Sequence, residues 1–223
     1  MGTLYLVRHG QASFGADDYD QLSPLGQRQC TRLGEYFRER GQDFDASYTG
    51  TLKRQQQSLQ GVQQGYGHAL PAPTELPGLN EYDSHAVVHA IHPEPLGKAD
   101  TPETYRQHFR LLREGLAAWM EGRSAPQGMP RYADFVAGVA DALDRVRSGT
   151  AEKVLLVSSG GPISTALGQV LGLAPPVTIE LNMRIRNSSV TEFAFTPKRH
   201  MLVTYNTLPH LDAPAYADWV TYA

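Results

Sequence analysis

Two short apolar segments have the pattern of buried β-strands. Residues 3–7 are apolar or β-branched, and residues 154–157 (Val-Leu-Leu-Val) form the clearest buried strand in the chain. Arg8-His9-Gly10 follows the first segment, and Ser158-Ser159-Gly160-Gly161 follows the second. Ligand sites of α/β proteins concentrate at the carboxyl ends of parallel strands. A small-residue turn between a strand and a helix also favours anion binding. These two turns are therefore the first candidates for a functional site.

Apolar residues recur at helical spacing in five further segments. The first begins at Ser23-Pro24, which predicts an N-cap and a first helical residue, and Gly41 is a typical stop. The others span about 51–64, 104–120, 132–146 and 162–171. The segment 51–64 is rich in glutamine, so we expect an exposed outer face that carries Gln55, Gln56, Gln57, Gln60, Gln63 and Gln64.

The order of these elements predicts an α/β fold. Residues 189–195 and 201–205 alternate in polarity and predict an antiparallel hairpin, whereas 66–80 are rich in Pro and Gly and predict a loop. Strands that alternate with helices indicate a single domain that spans residues 1–223. We expect a three-layer sandwich, with a mostly parallel sheet between two layers of helices. Residues 82–135 are less regular, and we expect them to form an insertion that shapes a pocket beside the sheet.

Composition excludes several classes of protein. In 223 residues, 20 Lys and Arg oppose 23 Asp and Glu, so the net charge of −3 gives no reason to expect nucleic acid or anionic membranes as partners. Cys30 is the single cysteine, which excludes an internal disulfide framework and fits a reducing compartment. No segment is apolar enough to span a bilayer, and Arg8-His9 interrupts the N-terminal apolar run. We expect a cytoplasmic protein.

Polar residues scattered along the chain form a set suited to phosphoryl transfer. Arg8 and Arg54 each offer a guanidinium fork for phosphate oxygens, and His9 can act as base, acid or nucleophile. Glu81 supplies a carboxylic acid, and the turn at Ser159 supplies a helix N-terminus. An Arg-His-Gly tripeptide alone would more often be a surface arginine and a capping histidine. The prediction of phosphoryl transfer therefore rests on the whole set of residues.

The combination resembles the histidine phosphatase superfamily, in the branch of the cofactor-dependent phosphoglycerate mutases and fructose-bisphosphatase-like enzymes. The resemblance reaches both ends of the chain and is weakest across 82–135, where that family varies. The motifs that carry it are Leu4-Tyr5-Leu6-Val7-Arg8-His9-Gly10, Leu22-Ser23-Pro24-Leu25-Gly26, Leu52-Lys53-Arg54, Leu79-Asn80-Glu81, Val154-Leu155-Leu156-Val157-Ser158, Tyr205-Asn206 and His210-Leu211.

The resemblance implies a role for each of these residues. His9 is the expected nucleophile that becomes phosphohistidine, and Glu81 the expected acid for the leaving alcohol and then base for water. Arg8 and Arg54 would hold the phosphoryl group, together with Ser159 and Gly160 at the second turn. Gln11 and Ser13 follow the first turn and are candidate substrate contacts. The family often has Asn three residues after the glycine of that turn, whereas here Ser13 is followed by Phe14-Gly15. The scheme requires no metal or nucleotide cofactor.

One position departs from the family pattern. The family normally places a second histidine after the late strand, where this chain has Ser159. A serine hydroxyl can donate a hydrogen bond but carries no positive charge, and loss of an oriented transition-state donor typically lowers a rate by about 10²–10³-fold. Three interpretations stay open: a compensated enzyme, a weak or inactive member that binds a phosphorylated ligand, and an unusual substrate. If the missing charge limits the reaction, Ser159→His should raise turnover.

Other histidines are candidates to compensate. If the segment is helical, His85, His89 and His92 share one face, where they could reach the phosphate site or bind zinc. The alternative is a set of ordinary, partly exposed histidines on a helix or loop. His210 belongs to the family-like ending, and a packing role there is at least as plausible as a site role.

The sequence thus predicts a metal-independent phosphatase of the histidine acid type that acts on a small phosphorylated substrate or binds phosphate. We expect hydrolysis rather than mutase-type transfer because the chain has no extended basic lid to hold a bisphosphate. The different-class alternative is a non-catalytic phospholigand-binding or interaction protein on the same fold. The physiological substrate and the oligomeric state stay open.

Overall fold

A computed structural model describes residues 1–13, 20–97 and 101–222. The strands of the described residues are β1 (Gly2–Arg8), β2 (Ala46–Thr49), β3 (Thr74–Glu75), β4 (Lys153–Ser158), β5 (Val190–Thr196) and β6 (Arg199–Thr207). The helices are α1 (Pro24–Glu39), α2 (Lys53–Tyr66), α3 (Ser84–His89), α4 (Pro102–Met120), α5 (Tyr132–Ser148), α6 (Gly160–Leu171) and α7 (Pro175–Arg184). Three 3₁₀ turns cover Pro77–Leu79, Pro209–Leu211 and Pro214–Trp219.

The strands form one mixed sheet in the order β3-β2-β4-β1-β5-β6. Strands β1, β2, β3 and β4 are mutually parallel, whereas β5 pairs antiparallel with both β1 and β6. The α/β class and the largely parallel sheet are therefore confirmed. The predicted hairpin also forms, but its antiparallel strand β5 lies inside the sheet, and β6 occupies the edge.

The alternation of side chains along the central strands separates two apolar cores. Leu4 and Leu6 point to one face of β1, where α5 and α6 pack, and Val7 points to the other, where α1 and α2 pack. This alternation is what period-two side-chain geometry requires of a strand covered on both faces. A third cluster, around Val87 and Trp119, joins α3, α4 and α7 beside the carboxyl end of the sheet.

Local signals explain where several helices begin and end. The Ser23 hydroxyl accepts from the Gly26 N–H, and Pro24 occupies the first turn of α1, as predicted. Helix α2 ends at Gly67, whose φ of 75° is left-handed, so the glycine is suited to this stop. Among the described residues, no helix is both long and apolar enough to cross a membrane.

Most of the shorter strands and helices were not predicted from the sequence. The segment 66–80, predicted to be a loop, contains β3 and a 3₁₀ turn, and β2 and α7 were not predicted at all. The helix considered for His85, His89 and His92 forms as α3 but ends at His89, so His92 lies beyond it. Strand β2 has four residues and β3 has two. Such short strands gain their hydrogen bonds from neighbours in the sheet and leave little periodic signal in their own sequence.

Candidate active site

The two turns predicted to carry function lie side by side. Arg8 pairs with Ser158 in the parallel register of β1 and β4, so His9 and Ser159 follow at the same edge. The backbone N–H of His9 donates to the Ser158 carbonyl oxygen at 2.8 Å, and its carbonyl oxygen accepts from the Ser188 N–H at 3.1 Å. Backbone bonds thus fix His9 on two sides, at the carboxyl end of the central strand.

The side chain of His9 is held in one tautomer. It is only 3% exposed, and its Nδ1 lies 2.7 Å from the Gly10 carbonyl oxygen. Because a carbonyl oxygen only accepts hydrogen bonds, Nδ1 carries the proton and Nε2 keeps its lone pair. Burial, followed by the charges of Arg8 and Arg54, holds the pKa of His9 well below its ordinary value. The ring is therefore neutral near pH 7.

Gly10 has to be glycine to hold this arrangement. Its N–H donates to the Ser58 hydroxyl at 3.0 Å. A Cβ at this position would lie 2.5 Å from the Gly26 carbonyl oxygen and 2.9 Å from the Cys30 sulfur. The turn after β1 therefore packs directly on α1, and the Gly26 of the predicted motif is the residue it contacts.

Two arginines border the histidine. Arg54 lies in the first turn of α2, and its Nε donates to Nε2 of His9 at 3.3 Å. Its NH1 pairs with the Asp20 carboxylate at 2.7 Å. Arg8 ends β1, and its NH1 donates to the Ile185 carbonyl oxygen at 2.5 Å. Both guanidinium groups are almost wholly buried, which strengthens their field at His9.

Asp20 was not predicted. Its carboxylate accepts from the backbone N–H of Lys53 at 3.0 Å and of Arg54 at 3.5 Å, in addition to the Arg54 side chain. It therefore caps the start of α2 and aims Arg54 at the same time. The sequence carries no local signal for this contact, because Asp20 precedes α1 and is 34 residues from Arg54.

Glu81 joins the site from the loop before α3. Its carboxylate accepts from the Gly161 N–H, at 3.0 Å through Oε1 and 3.2 Å through Oε2. A Cβ on Gly161 would lie 2.2 Å from Oε1, so glycine is needed there. Burial raises the pKa of Glu81 above its ordinary value, although the Gly161 N–H and the charges of Arg54 and Arg8 oppose the shift. The raised pKa favours the protonated acid.

Ser159 contacts an unexpected partner. It precedes the first residue of α6, is fully buried, and accepts from Nε2 of Gln55 at 2.7 Å. The same Nε2 donates to the Leu79 carbonyl oxygen at 2.8 Å. The expectation that Gln55 lies on an exposed face of α2 is wrong, since its side chain is 0% exposed. Gln60, Gln63 and Gln64 do face solvent.

The candidate substrate contacts Gln11 and Ser13 lie beside the first turn. The Gln11 N–H donates to Gln29 and its Oε1 accepts from the Ser23 hydroxyl at 2.7 Å, so this side chain braces the start of α1. The Ser13 N–H donates to the Gln21 carbonyl oxygen. The interpretation placed on Phe14-Gly15 lies outside the described residues. Substrate contact by Gln11 and Ser13 stays a prediction.

Among the described residues, no hydrogen bond connects the additional histidines to the His9 ring, and a role for them in the site stays a prediction. His85 and His89 are exposed on α3, and Nδ1 of His92 is 3.1 Å from the Glu94 carbonyl oxygen. Over residues 1–13, 20–97 and 101–222, no three His, Cys, Asp or Glu side chains are placed to hold a metal ion. His210 is buried, with Nε2 2.9 Å from the Ser188 hydroxyl, and burial followed by the Arg32 charge lowers its pKa to about 3. That neutral ring packs behind the His9 backbone.

An aromatic wall stands beside Glu81 and Gly161. Tyr82 accepts from Asn182 at 2.8 Å, and the Trp119 ring lies against Tyr82, Tyr132 and Phe135. A cavity of about 20 Å³ remains between these rings and α6. The wall is built from the region 82–135 and from α7.

The fold and this edge define an α/β protein with a buried, neutral histidine between two arginines and a carboxyl group. Comparison with known families agrees with that class: the model of the histidine phosphatase superfamily (branch 1) matches residues 4–208. The chain belongs to this superfamily, as its motifs predicted.

Solved structures share the fold at low identity. Phosphoserine phosphatase from Entamoeba histolytica, solved with 3-phosphoglyceric acid, is 21% identical, with 95% of this chain and 100% of that chain covered and a TM-score of 0.64. Alpha-ribazole phosphatase from Shigella flexneri is 19% identical, with 92% and 96% covered and a TM-score of 0.64. Phosphoglycerate mutase from Bacillus anthracis is 16% identical, with 94% of each chain covered and a TM-score of 0.64. The solved structures that are similar to this chain thus include both phosphatases and a mutase.

Proposed function

We propose that the protein is a metal-independent phosphomonoester hydrolase that forms a phosphohistidine on Nε2 of His9. The observation that supports this most directly is the fixed tautomer of His9. Its Nδ1 proton is held by the Gly10 carbonyl oxygen, so Nε2 keeps its lone pair, to which Arg54 Nε donates at 3.3 Å. In the proposed reaction Arg54 donates to a phosphoryl oxygen instead, which frees this lone pair for attack. A neutral imidazole between two cations is suited to attack a phosphate dianion.

In the first proposed step, Nε2 of His9 attacks phosphorus and the bond from phosphorus to the leaving oxygen breaks. Protonated Glu81 gives its proton to the leaving alcohol. In the second step, the Glu81 carboxylate takes a proton from water, the water oxygen attacks phosphorus, and the bond from nitrogen to phosphorus breaks. The products are the alcohol and inorganic phosphate, and both side chains return to their starting states.

We propose that Arg8, Arg54 and the N–H of Gly160 bind the phosphoryl oxygens. Gly160 is the first residue of α6, whose opening N–H groups favour an anion. Charge that spreads over three oxygens in the transition state needs such fixed partners more than it needs covalent chemistry. In this arrangement the protein itself supplies the positive charge.

The substrate would be a small phosphorylated molecule. We propose that the chain is a single domain in which residues 82–135 form the wall of the pocket, because Tyr82 and Trp119 stand beside Glu81, where the leaving alcohol would emerge. Neighbouring structures carry phosphoserine or 3-phosphoglyceric acid, so phosphorylated hydroxy acids and sugar phosphates are suitable first probes. We favour a hydrolase over a mutase because the sequence has no extended basic lid.

The second candidate is a non-catalytic phospholigand-binding protein. The observation that favours it is Ser159, which is uncharged where the family normally has a histidine. A binder and an enzyme share the anion site and differ in whether His9 becomes phosphorylated.

The test is to trap the phosphoenzyme. The protein is mixed with a ³²P-labelled phosphomonoester, quenched in base, which preserves phosphohistidine, and mapped by mass spectrometry. We expect label on the peptide that contains His9, in amounts that a chelator does not change. Anion binding by isothermal titration with inorganic phosphate, together with no label on His9 for any probe in a broad panel, would contradict hydrolysis and support the binder.

The pH dependence of kcat/KM should report both titrating groups. Activity needs neutral His9, so it falls as the pH drops through a His9 pKa that is lower than usual. It also needs protonated Glu81, so it falls as the pH rises through a Glu81 pKa that is higher than usual. Activity should therefore be highest between these two titrations.

Glu81→Gln tests the basic limb of that profile. We expect it to remove the limb and to lower kcat about 10²-fold for an alkyl phosphate. An aryl phosphate should be affected less, because its leaving group needs less protonation. An unchanged basic limb in Glu81→Gln would assign that titration to another group.

Ser159→His is no longer expected to raise turnover on its own. Nε2 of Gln55 lies 2.7 Å from the serine oxygen, which leaves no room for an imidazole, and overpacking a buried site typically costs about 1–3 kcal/mol. We expect Ser159→His to lower both melting temperature and kcat, and Ser159→His with Gln55→Ala to recover both relative to the single variant. Gln55→Ala alone is the control. A rise in kcat in Ser159→His alone would show that Gln55 moves aside.

A further inference from the structure

Gln55 and Ser159 form a buried pair that the family motifs do not explain. Gln55 is one residue beyond Arg54 on α2, and Ser159 is one residue beyond β4, so the pair connects the two segments on either side of His9. Both side chains are fully buried. Burial of polar side chains away from solvent destabilises the folded protein unless their polar atoms are hydrogen-bonded.

The direction of the hydrogen bond between them is fixed. Nε2 of Gln55 lies 2.8 Å from the Leu79 carbonyl oxygen, which only accepts, so the amide nitrogen must face this side. The second proton of that nitrogen then goes to the Ser159 oxygen at 2.7 Å. Oε1 points away, toward Gly50, where an added Cβ would lie 1.9 Å from it. Gly50 thus leaves space for Oε1, which has no hydrogen-bond partner among the described residues, and the Leu79 carbonyl oxygen sets the orientation of the amide.

Because the Ser159 oxygen accepts from Gln55, its own proton must be donated elsewhere. In the part of the chain that the structure describes, the Ser159 hydroxyl has no hydrogen bond besides the one from Gln55. Ser159 stands next to His9 across β1 and β4, and two residues before Gly161, which holds Glu81. The register therefore places Ser159 beside His9, at the edge of the sheet where a phosphoryl group on His9 would lie.

We infer that Gln55 is a positioning residue that orients the Ser159 O–H as an uncharged donor to an oxygen of the bound or transferred phosphoryl group. This inference rests on the proposed function for its kinetic consequences. It also explains how the chain could compensate for the missing family histidine. The oriented Ser159 O–H, a neutral donor, replaces a cationic imidazole, and Gln55 fills the space that the shorter serine side chain leaves. A hydroxyl does not titrate in this pH range, so the pair adds no limb to the pH profile.

A double-mutant cycle tests the pair with Ser159→Ala, Gln55→Met and the two together. We expect each single variant to lower kcat about 10-fold or more with KM changed less than about threefold, since the donor acts mainly in the transition state. The double variant should be no more than about threefold slower than either single one, because both changes remove the same oriented donor. The shape of the pH profile should not change.

Two matched control variants distinguish the positioning role of Gln55 from a general effect on folding. Gln56→Met alters the next glutamine of α2, which bonds Glu75 at the surface, and Ser47→Ala alters a buried serine that bonds Pro71. Both should keep wild-type kcat. Gln55→Met should fold because the Leu79 carbonyl oxygen keeps its bond from the Ser158 hydroxyl. Should it not fold, Ser159→Ala alone still decides, because that variant leaves the bond from Gln55 to Leu79 in place.

Vanadate binding provides a readout without turnover. The wild type should bind vanadate at least about 10-fold more tightly than Ser159→Ala and Gln55→Met, whereas inorganic phosphate should bind them nearly equally. Unchanged kcat in folded Ser159→Ala, or losses that multiply in the double variant, would overturn the inference while the phosphohistidine mechanism stands. If the wild type has no His9-dependent turnover, the proposed function fails. Equal vanadate affinity in all three proteins would then overturn the inference as well.

Discussion

His9→Ala should lower the rate of phosphate release by about 10⁴-fold or more. Its imidazole is the only nucleophile in the proposed mechanism. When catalytic residues act together, removal of the nucleophile commonly abolishes most of the rate enhancement. Its Nε2 is the atom that Arg54 contacts, and its backbone position is fixed by Ser158 and Ser188. Alanine keeps those backbone bonds, so the protein should fold while the reaction stops.

The measurement is steady-state phosphate release from an aryl phosphate, with the phosphoenzyme trap run in parallel. His200→Ala is a matched control, since burial also lowers the pKa of His200, which is only partly buried and lies on β6 against Phe193 and Phe195. That control should keep wild-type activity per folded molecule. A His9→Ala protein that retains a tenth of the wild-type rate would show that another group carries the phosphoryl transfer.

Arg54→Ala should lower kcat/KM by about 10³-fold. Its guanidinium contacts Nε2 of His9 at 3.3 Å and is almost wholly buried, so its charge acts at short range in a site with little water. Loss of one oriented transition-state donor typically accounts for about 10²–10³-fold, and the lost charge also weakens binding of the phosphate dianion. Both kcat and KM should therefore change.

Asp20→Asn separates the charge of Arg54 from its orientation. Asparagine keeps one oxygen, which can accept from the Lys53 N–H or from Arg54 but not from both, because these groups use different oxygens of the carboxylate. The ion pair with the guanidinium at 2.7 Å is lost. We expect a loss of kcat/KM within about tenfold, because Arg54 keeps its charge and part of its support. If Asp20→Asn is as damaging as Arg54→Ala, the orientation of Arg54 matters more than its charge.

The parts of the fold that could be predicted are those specified by nearby residues. Strands β1 and β4 are buried on both faces and are therefore almost purely apolar, and α1 begins at a serine cap followed by proline. Strand β2 and the two-residue β3 were missed because their stability comes from the parallel pairing of distant segments. The position of β5 inside the sheet was missed for the same reason.

The candidate site divides in a similar way. Arg8, His9, Arg54 and Glu81 were found through their chemical types and the family motifs, and the topology does bring them together. Asp20 and Gln55 were not assigned to the site, because each is recognised only by partners far along the chain. Gln55 was predicted to face solvent, and its partner Ser159 is 104 residues away. A buried amide and an exposed one are indistinguishable in a glutamine-rich helix until those partners are known.

The backbone bonds of His9 have a consequence for dynamics. Its N–H continues the ladder to β4 and its carbonyl oxygen is bonded to the segment that enters β5, so three neighbouring strands must separate before this residue is released. Hydrogen exchange at the His9 amide should accordingly be among the slowest in the protein, close to the rate set by global unfolding. If the proposed reaction takes place here, the motion that admits substrate and releases phosphate would come from the helices around Tyr82 and Trp119, while Nε2 of His9 stays fixed.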